Sequence, residues 1–518
     1  MRAVGTILVL VVLATVVATG ARRWRIPAPS MLVLAGLAVA LIPGTPALHI
    51  PPQTIALVVL PPLLYASAEE MSMRDLRLVW RPVTVLALGL VLASAAAVGA
   101  LAIAVTGLPV PMAFVLGAVL ASTDPVAVTA LGRRLALPGR VQVLVQAESL
   151  FNDATSLVLF KVAVGVAVAG TAVDWPHAGG EFLLLAGGGA AVGAAVAAGV
   201  AVVRRRTADP VLETVVSLVT PYSAYVLAES VHTSGVTAVV VAGVVLGRSG
   251  HKLSDARIRL QLQAVYGVVV FLLESVVFAI VGLELPTLVR ELPGGTSWWP
   301  LQALAVAALL IGLRVLWVLP LTAVVKPVGA AASWRVAAVV TWAGTRGVMP
   351  LAAALSIPLA AADGSALPGR PLVLVLTTAV VVATLVAQGL SLAPLVNRSG
   401  IALEPEHTAR EEARTRRRLV GVGLEHLDQL ADLDAAPAAA LEQARRTLDA
   451  RLRHEQQEAG DQGGGSVLVT YRQIRREVIA LQGSELRRLY EDHQISDTTR
   501  RHLQYDLDRE ESALAEGP

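Results

Sequence analysis

Apolar runs long enough to cross a bilayer recur along the first 398 residues, and they restrict the chain to one kind of architecture. They fall at roughly 4–20, 28–43, 53–70, 82–106, 109–131, 139–169, 180–203, 211–230, 234–247, 262–285, 300–325, 334–357 and 371–396. About twenty apolar residues cross the hydrocarbon as a helix. The expected fold is therefore an all-α multi-pass membrane protein of about 13 transmembrane helices. Composition points the same way, with 55% hydrophobic and 16% charged residues, where a soluble domain carries roughly a quarter charged.

The loops between these runs alternate in charge. Arg22, Arg23 and Arg25 follow the first run, Arg74, Arg77 and Arg81 the third, and Arg133, Arg134 and Arg140 the fifth. Arg204, Arg205 and Arg206 follow the seventh, Arg248, Lys252, Arg257 and Arg259 the ninth, and Lys326 and Arg335 the eleventh. Loops after even-numbered runs hold only Arg290 and Arg370. Basic loops stay in the cytoplasm, which sets the N-terminus outside, the C-terminus inside and an odd number of crossings. Arginines directly after the first run argue against its being a cleaved signal peptide.

The composition changes after about Ser399. Residues 1–398 read as a transmembrane domain and 399–518 as a helical cytoplasmic domain. Arg414, Arg416, Arg417 and Arg418 form a basic cluster suited to anionic lipid headgroups. Asp461 to Ser466 reads as a linker, and Ile474, Val478 and Leu481, then Leu486 and Leu489, recur at helical spacing. The chain has no cysteine, which excludes disulfides and thiol chemistry, and its nine histidines lack zinc-site spacing. Aromatics make up 4%, too few for a base-stacking nucleic-acid binder, and the tail has no nucleotide-binding glycine motif.

A polar stripe interrupts the sixth run. Ser149, Asn152, Asp153 and Ser156 are spaced i, i+3, i+4, i+7 and share one helix face, next to Glu148. A carboxylate in hydrocarbon needs a partner or a wet cavity, so an intramembrane acid marks a functional site. The fifth run contains Ala121-Ser-Thr-Asp-Pro125, a helix start inside a span, which predicts two half-helices meeting at mid-depth. Asp124 would cap its own half-helix and add charge there. The twelfth run holds Trp342-Ala-Gly-Thr-Arg-Gly-Val-Met-Pro350, in which Arg346 must pair or reach water; it could neutralise the C-terminal ends of broken helices or an acid such as Glu148, or snorkel to an interface. Breaks seven runs apart fit two inverted repeats, the sequence signature of a transporter site. For Glu274, Arg314, Lys161, Glu69, Glu70, Glu213 and Glu229, interhelical pairing or interfacial anchoring is the expectation.

These segments, with Phe271-Leu-Leu-Glu-Ser-Val-Val-Phe278 and Gly282-Leu283, resemble the monovalent cation:proton antiporter superfamily in its sodium/proton exchanger branch. The likeness covers about residues 1–398. It implies thirteen helices in a dimerisation domain and a moving core, with two broken helices crossing. It implies that Asp153 binds cation or proton in competition, and that Thr123, Asp124 and Ser149 complete the site. Asn152 would stand where the electrogenic branch has a second aspartate. Glu148 would pair with Arg346. The implied activity is electroneutral one-for-one exchange of Na⁺, or Li⁺, for H⁺ across the cell membrane by a homodimer. The chain would be no enzyme, and its only small partners would be the transported ions, with Na⁺ on Asp153, Thr123 and Ser149. K⁺/H⁺ exchange is the alternative. A cation channel lacks its filter-like sequence here, and an aspartyl protease dyad of Asp124 and Asp153 lacks the sequence context of such enzymes.

Overall fold

The computed structural model describes residues 11–21, 28–42, 52–71, 73–123, 139–170, 175–207, 209–253, 256–290, 298–324, 338–399, 405–433, 437–460 and 465–492, with a few isolated positions besides. Asp124, Pro125, Arg133, Arg134 and Lys326 lie outside the described residues.

Helix follows helix throughout. The first are α1 (Val11–Ala21), α2 (Ala28–Ala40), α3 (Pro52–Glu69) and α4 (Met73–Thr84), which runs through one π turn at Val85–Leu90 into α5 (Val91–Thr106). Then come α6 (Val110–Ala121), α7 (Gly139–Ala169), α8 (Trp175–Arg204), α9 (Pro210–Ser230), α10 (Gly235–Leu253), α11 (Ala256–Arg290) and α12 (Trp299–Val324). The series ends with α13 (Val348–Leu355) and α14 (Arg370–Ser399), followed by α15 (Pro405–Asp432), α16 (Ala438–Gly460) and α17 (Gly465–Glu491). Outside this series Ala360 and Ala366 form an isolated antiparallel bridge, and Thr345 also takes bridge geometry. Local chemistry fixes several ends. Gly107, at φ 68°, closes α5 in the left-handed conformation glycine tolerates, and Pro109 opens α6. Asp209 caps α9, accepting from Val211 N at 2.7 Å and Leu212 N at 3.0 Å, with Pro210 in the first turn.

Helix occurs within each of the thirteen apolar runs, yet seven among the described residues are long and apolar enough to cross a membrane as single helices. Within two of the runs the helix stops part-way, and in the fifth run the residues after Thr123 lie outside the described ones. α6 stops at Ala121, and Ser122 is extended (ψ 144°). In the twelfth run the described residues are helical at 338–342, leave the helix over 343–347 and resume as α13. The exterior suits lipid: Leu183, Leu184, Leu304 and Leu316 are all exposed. Polar side chains turn inward instead, among them Ser122, Thr123, Glu148, Ser149, Asn152, Asp153, Arg314 and Arg346.

Small residues let backbones touch. A Cβ on Gly36 would lie 2.4 Å from Ala279 O, and one on Gly282 would lie 2.2 Å from Val33 O, so α2 and α11 cross at bare backbone. Gly117 meets Ala95 O in the same way and joins α6 to α5. Gly189 and Gly193 join α8 to Ser234 and Ala238, while Gly243 and Gly247 seat α10 on α3 at Tyr65 and Glu69. Beside that contact Arg204 lies 3.6 Å from Glu69, and Tyr266 donates to Ser217 O at 2.8 Å. Glu69 thus takes the interhelical pairing expected of it.

Contact clustering separates Met1–Leu403 from Glu404–Pro518. Within the second unit α15 and α16 pack together, with Leu448 against Gly423 and an Arg445–Asp428 ion pair. α17 forms where the periodicity places it, but Ile479 and Leu486 are its buried residues while Ile474 and Leu481 are exposed.

Gly282→Val should destabilise the protein in detergent by about 1–3 kcal/mol or more, because overpacking forces the two backbones apart. Gly165→Ala, with nothing within 4 Å of its new methyl, should not. Thermal unfolding of the two variants checks the contrast.

Candidate functional site

The two helix breaks create the site's first requirement. A helix end leaves carbonyls without intrahelical partners, and inside a membrane no bulk water replaces them. At the end of α6, Ser156 Oγ on α7 donates to Ala118 O at 2.7 Å, and Arg346 Nε donates to Leu120 O at 2.9 Å. Arg346 also donates from Nη1 to Gly344 O at 2.8 Å, within the second break. At the end of helix 338–342, Arg314 of α12 donates from Nε to Thr341 O at 3.1 Å and from Nη2 to Val340 O at 3.2 Å. One guanidinium therefore serves each break, where a positive charge also meets the negative end of a helix dipole. Gly344 has to be glycine for this: a Cβ there would sit 2.3 Å from Arg314 Nε.

Arg314 brings a charge that itself needs a partner, and α7 supplies it. Glu148 takes Nη1 at 2.6 Å and Nη2 at 2.9 Å in a bidentate pair, with side chains 1% and 3% exposed. The same face of α7 holds the extended segment after α6. Ser149 Oγ donates to Thr123 O at 2.7 Å, and Asn152 Oδ1 accepts from Thr123 N at 3.3 Å. The Asn152 amide also donates to the Thr123 hydroxyl. Every polar atom of Thr123 is thus tied to α7. The Ser122 hydroxyl donates to Asp153 Oδ1, and Asp153 is buried.

Chemically this is one carboxylate at a helix break, surrounded by hydroxyls and backbone oxygens. Such a set suits a proton or a hard cation. The structure brings Thr123, Ser149, Asn152 and Asp153 together; Asp124 lies outside the described residues.

Comparison with known sequences decides the class. The family described as "Sodium/hydrogen exchanger, transmembrane" matches residues 8–398. The chain belongs to this sodium/hydrogen exchanger family. The family consists of transporters rather than enzymes and needs no cofactor, the transported ions being substrates. An uncharacterised Na⁺/H⁺ exchanger of Mycobacterium tuberculosis is 34% identical over 83% of this chain and 81% of its own length. The Na⁺/H⁺ antiporter ApNhaP of Aphanothece halophytica is 30% identical over 73% of this chain and 70% of its own. Among solved structures, the sodium proton antiporter MjNhaP1 of Methanocaldococcus jannaschii shares the fold, with TM-score 0.62 and 21% identity, over 77% of this chain and 99% of that one.

Within this exchanger fold one expected pairing is corrected. Glu148 pairs with Arg314, not with Arg346. Arg346 takes another of the roles open to it, serving carbonyls at the broken helices. The reason is reach: Arg314 sits where it touches Glu148 and the end of helix 338–342 at once, whereas the Arg346 Nε is held on Leu120 O. Two further residues join the site. Arg314 was legible only as a mid-span charge. Ser122 stands beside Thr123 in the same motif, but its direction depends on the extended backbone.

Glu148→Gln should destabilise this exchanger by about 3–5 kcal/mol, the cost of leaving one partner of a buried pair. Adding Arg314→Met should recover a large part of that loss, whereas adding Arg346→Met should make matters worse. Thermal unfolding of the two double-mutant cycles is the check. Equal coupling of Glu148 to both arginines would contradict the assigned pair.

Proposed function

We propose that the chain exchanges Na⁺, or Li⁺, for H⁺ in a one-for-one, electroneutral cycle of alternating access. The observation that carries the reading is Asp153, buried on α7 and held by the Ser122 hydroxyl at the end of a broken helix. Burial favours the protonated carboxyl, while a bound cation favours the carboxylate, so the two occupants exclude one another. Thr123, Ser149 and Asp124 are the proposed oxygen donors around the cation. Either occupant removes the same charge, so the loaded site crosses the membrane more readily than the bare one. Asn152 supports the stoichiometry, because the residue beside Asp153 adds an amide and no second charge.

The rest of the reading follows from the pattern of loops and from the resemblance. Residues 1–398 carry transport in the cell membrane as a homodimer, with the N-terminus outside. Residues 399–518 form a cytoplasmic helical domain whose basic cluster faces anionic lipid. An antiporter of Bacillus pumilus named for sodium, potassium, lithium and rubidium is 31% identical over 70% of this chain and 56% of its own length. K⁺/H⁺ exchange is therefore the second reading.

In proteoliposomes with an internal pH dye, adding Na⁺ should shift internal pH equally with and without a membrane potential, and Asp153→Asn should abolish the shift. Turnover by a folded Asp153→Asn variant would refute the assignment. The rate should be bell-shaped in pH, falling at low pH where protons outcompete the cation and at high pH where too little proton binds.

A further inference from the structure

Lys161 lies on α7 eight residues past Asp153, about 12 Å along the helix toward its Ala169 end. On the proposed orientation that is the outer side. All three ammonium protons are engaged: Nζ donates to Glu229 Oε1 at 2.9 Å, to Glu229 Oε2 at 2.8 Å and to Thr233 O at 3.1 Å. Glu229 ends α9, and its Oε1 also accepts from Gly235 N at 3.1 Å, in the first turn of α10. The α9–α10 turn is itself fixed. His232 is left-handed at φ 56°, Thr233 N bonds Ala228 O at 2.9 Å, and Ser234 N bonds Leu185 O of α8 at 3.1 Å. The site helix is thus pinned at one point to a rigid corner of the α3–α8–α10 block.

Three observations distinguish this bridge from a permanent strut. Its side chains are 38% and 36% exposed, against 3% and 1% for Arg314 and Glu148, so the rest of the fold does not enclose it; on the proposed orientation it lies toward the outer surface, where hydration weakens an ion pair. The seam beside it is apolar, with Val158 and Val162 of α7 against Leu185, Phe182 and Ala178 of α8. And among the described residues, the backbone-close glycines of α8 and α10 reach α3 or one another, while Gly165 of α7 meets nothing within 4 Å. A smooth apolar seam closed by one wet ion pair is a surface built to part.

We propose that Lys161 and Glu229 form a latch that holds the outer side of the exchanger closed and must release for Asp153 to face outside. The idea rests on the alternating-access reading above. Release moves no covalent bond; the ammonium and the carboxylate are each hydrated as α7 withdraws from the turn. Lys161 acts here by positioning the site helix and touches neither transported ion.

The chain's lack of cysteine gives a clean test. In full-length protein, Lys161→Cys with Glu229→Cys is joined by a short reducible methanethiosulfonate cross-linker, and Na⁺-driven pH change is followed in proteoliposomes. Joined protein should stop exchanging, and dithiothreitol should restore it. If joined protein exchanges at the unjoined rate while wild type is active, the pair is a strut and the latch is wrong. If wild type does not exchange with any of Na⁺, Li⁺ or K⁺, the exchange reading itself falls, and the latch with it. Should the double variant not fold, Lys161→Met serves instead: it should lower the outside cation concentration needed for half-maximal rate, because more of the protein already faces outward. An unchanged value would overturn the proposal.

Discussion

Two helices that stop in mid-membrane leave carbonyl oxygens where no bulk water reaches them, and the arrangement around Asp153 follows from satisfying those oxygens. Ser156 and Arg346 serve the end of α6, and Arg314 serves the end of helix 338–342. A guanidinium suits the task because it presents several donors in a fixed fork and keeps its charge. Burying it then demands a carboxylate, and Glu148 answers that demand on both faces of the fork. Gly344 answers another, the space for the fork itself. Among the described residues Asp153 accepts from the Ser122 hydroxyl, and it is Glu148 that takes the Arg314 guanidinium. On the proposed mechanism the difference is essential: a carboxylate locked to arginine would take up neither proton nor cation easily.

Much of this was legible in the sequence, for reasons of period and composition. Ser149, Asn152, Asp153 and Ser156 stood out because helical spacing is visible against an apolar background, and all four are buried where α7 meets the first break. The breaks announced themselves through Pro125 and through Gly344, Gly347 and Pro350. Partnership across long sequence distances did not. Glu148 and Arg314 are 166 residues apart, and no local pattern says which of two mid-span arginines meets a given acid. The Glu148–Arg346 expectation came from resemblance, and geometry reassigned it. Ser122 was missed because extended backbone has no fixed face from which a side chain's direction can be read. In α17 the helix was legible, but which of two apolar rows is buried depends on neighbours.

Rigidity in this fold is unevenly distributed, and glycine marks where it is concentrated. α5 with α6, α2 with α11, and α10 with α3 and α8 meet at backbone, where a methyl would collide. Interfaces of that kind do not slide, since protein packing favours discrete arrangements over continuous deformation. The seam between α7 and α8 is made of apolar side chains, Val158 and Val162 against Leu185 and Phe182, with no bare-backbone contact among the glycines described. A carrier needs both properties: blocks that keep their shape, and a boundary that does not hold them.

Asn152 shows how a fold of this sort limits its own charge. Its amide accepts from one atom of Thr123 and donates to another, whereas an aspartate at the same position would hold the second only with the hydroxyl turned round to donate. The extended segment after α6 is therefore clamped by a neutral side chain. A second carboxylate here would place two negative charges on adjacent residues of one buried helix. Two such acids would repel, raising the affinity of the pair for a proton and drawing a second charge into the cycle. With asparagine the clamp stays the same in every state of Asp153. The one group whose charge changes during transport is then, on this reading, separated from the groups that hold the broken helix in place.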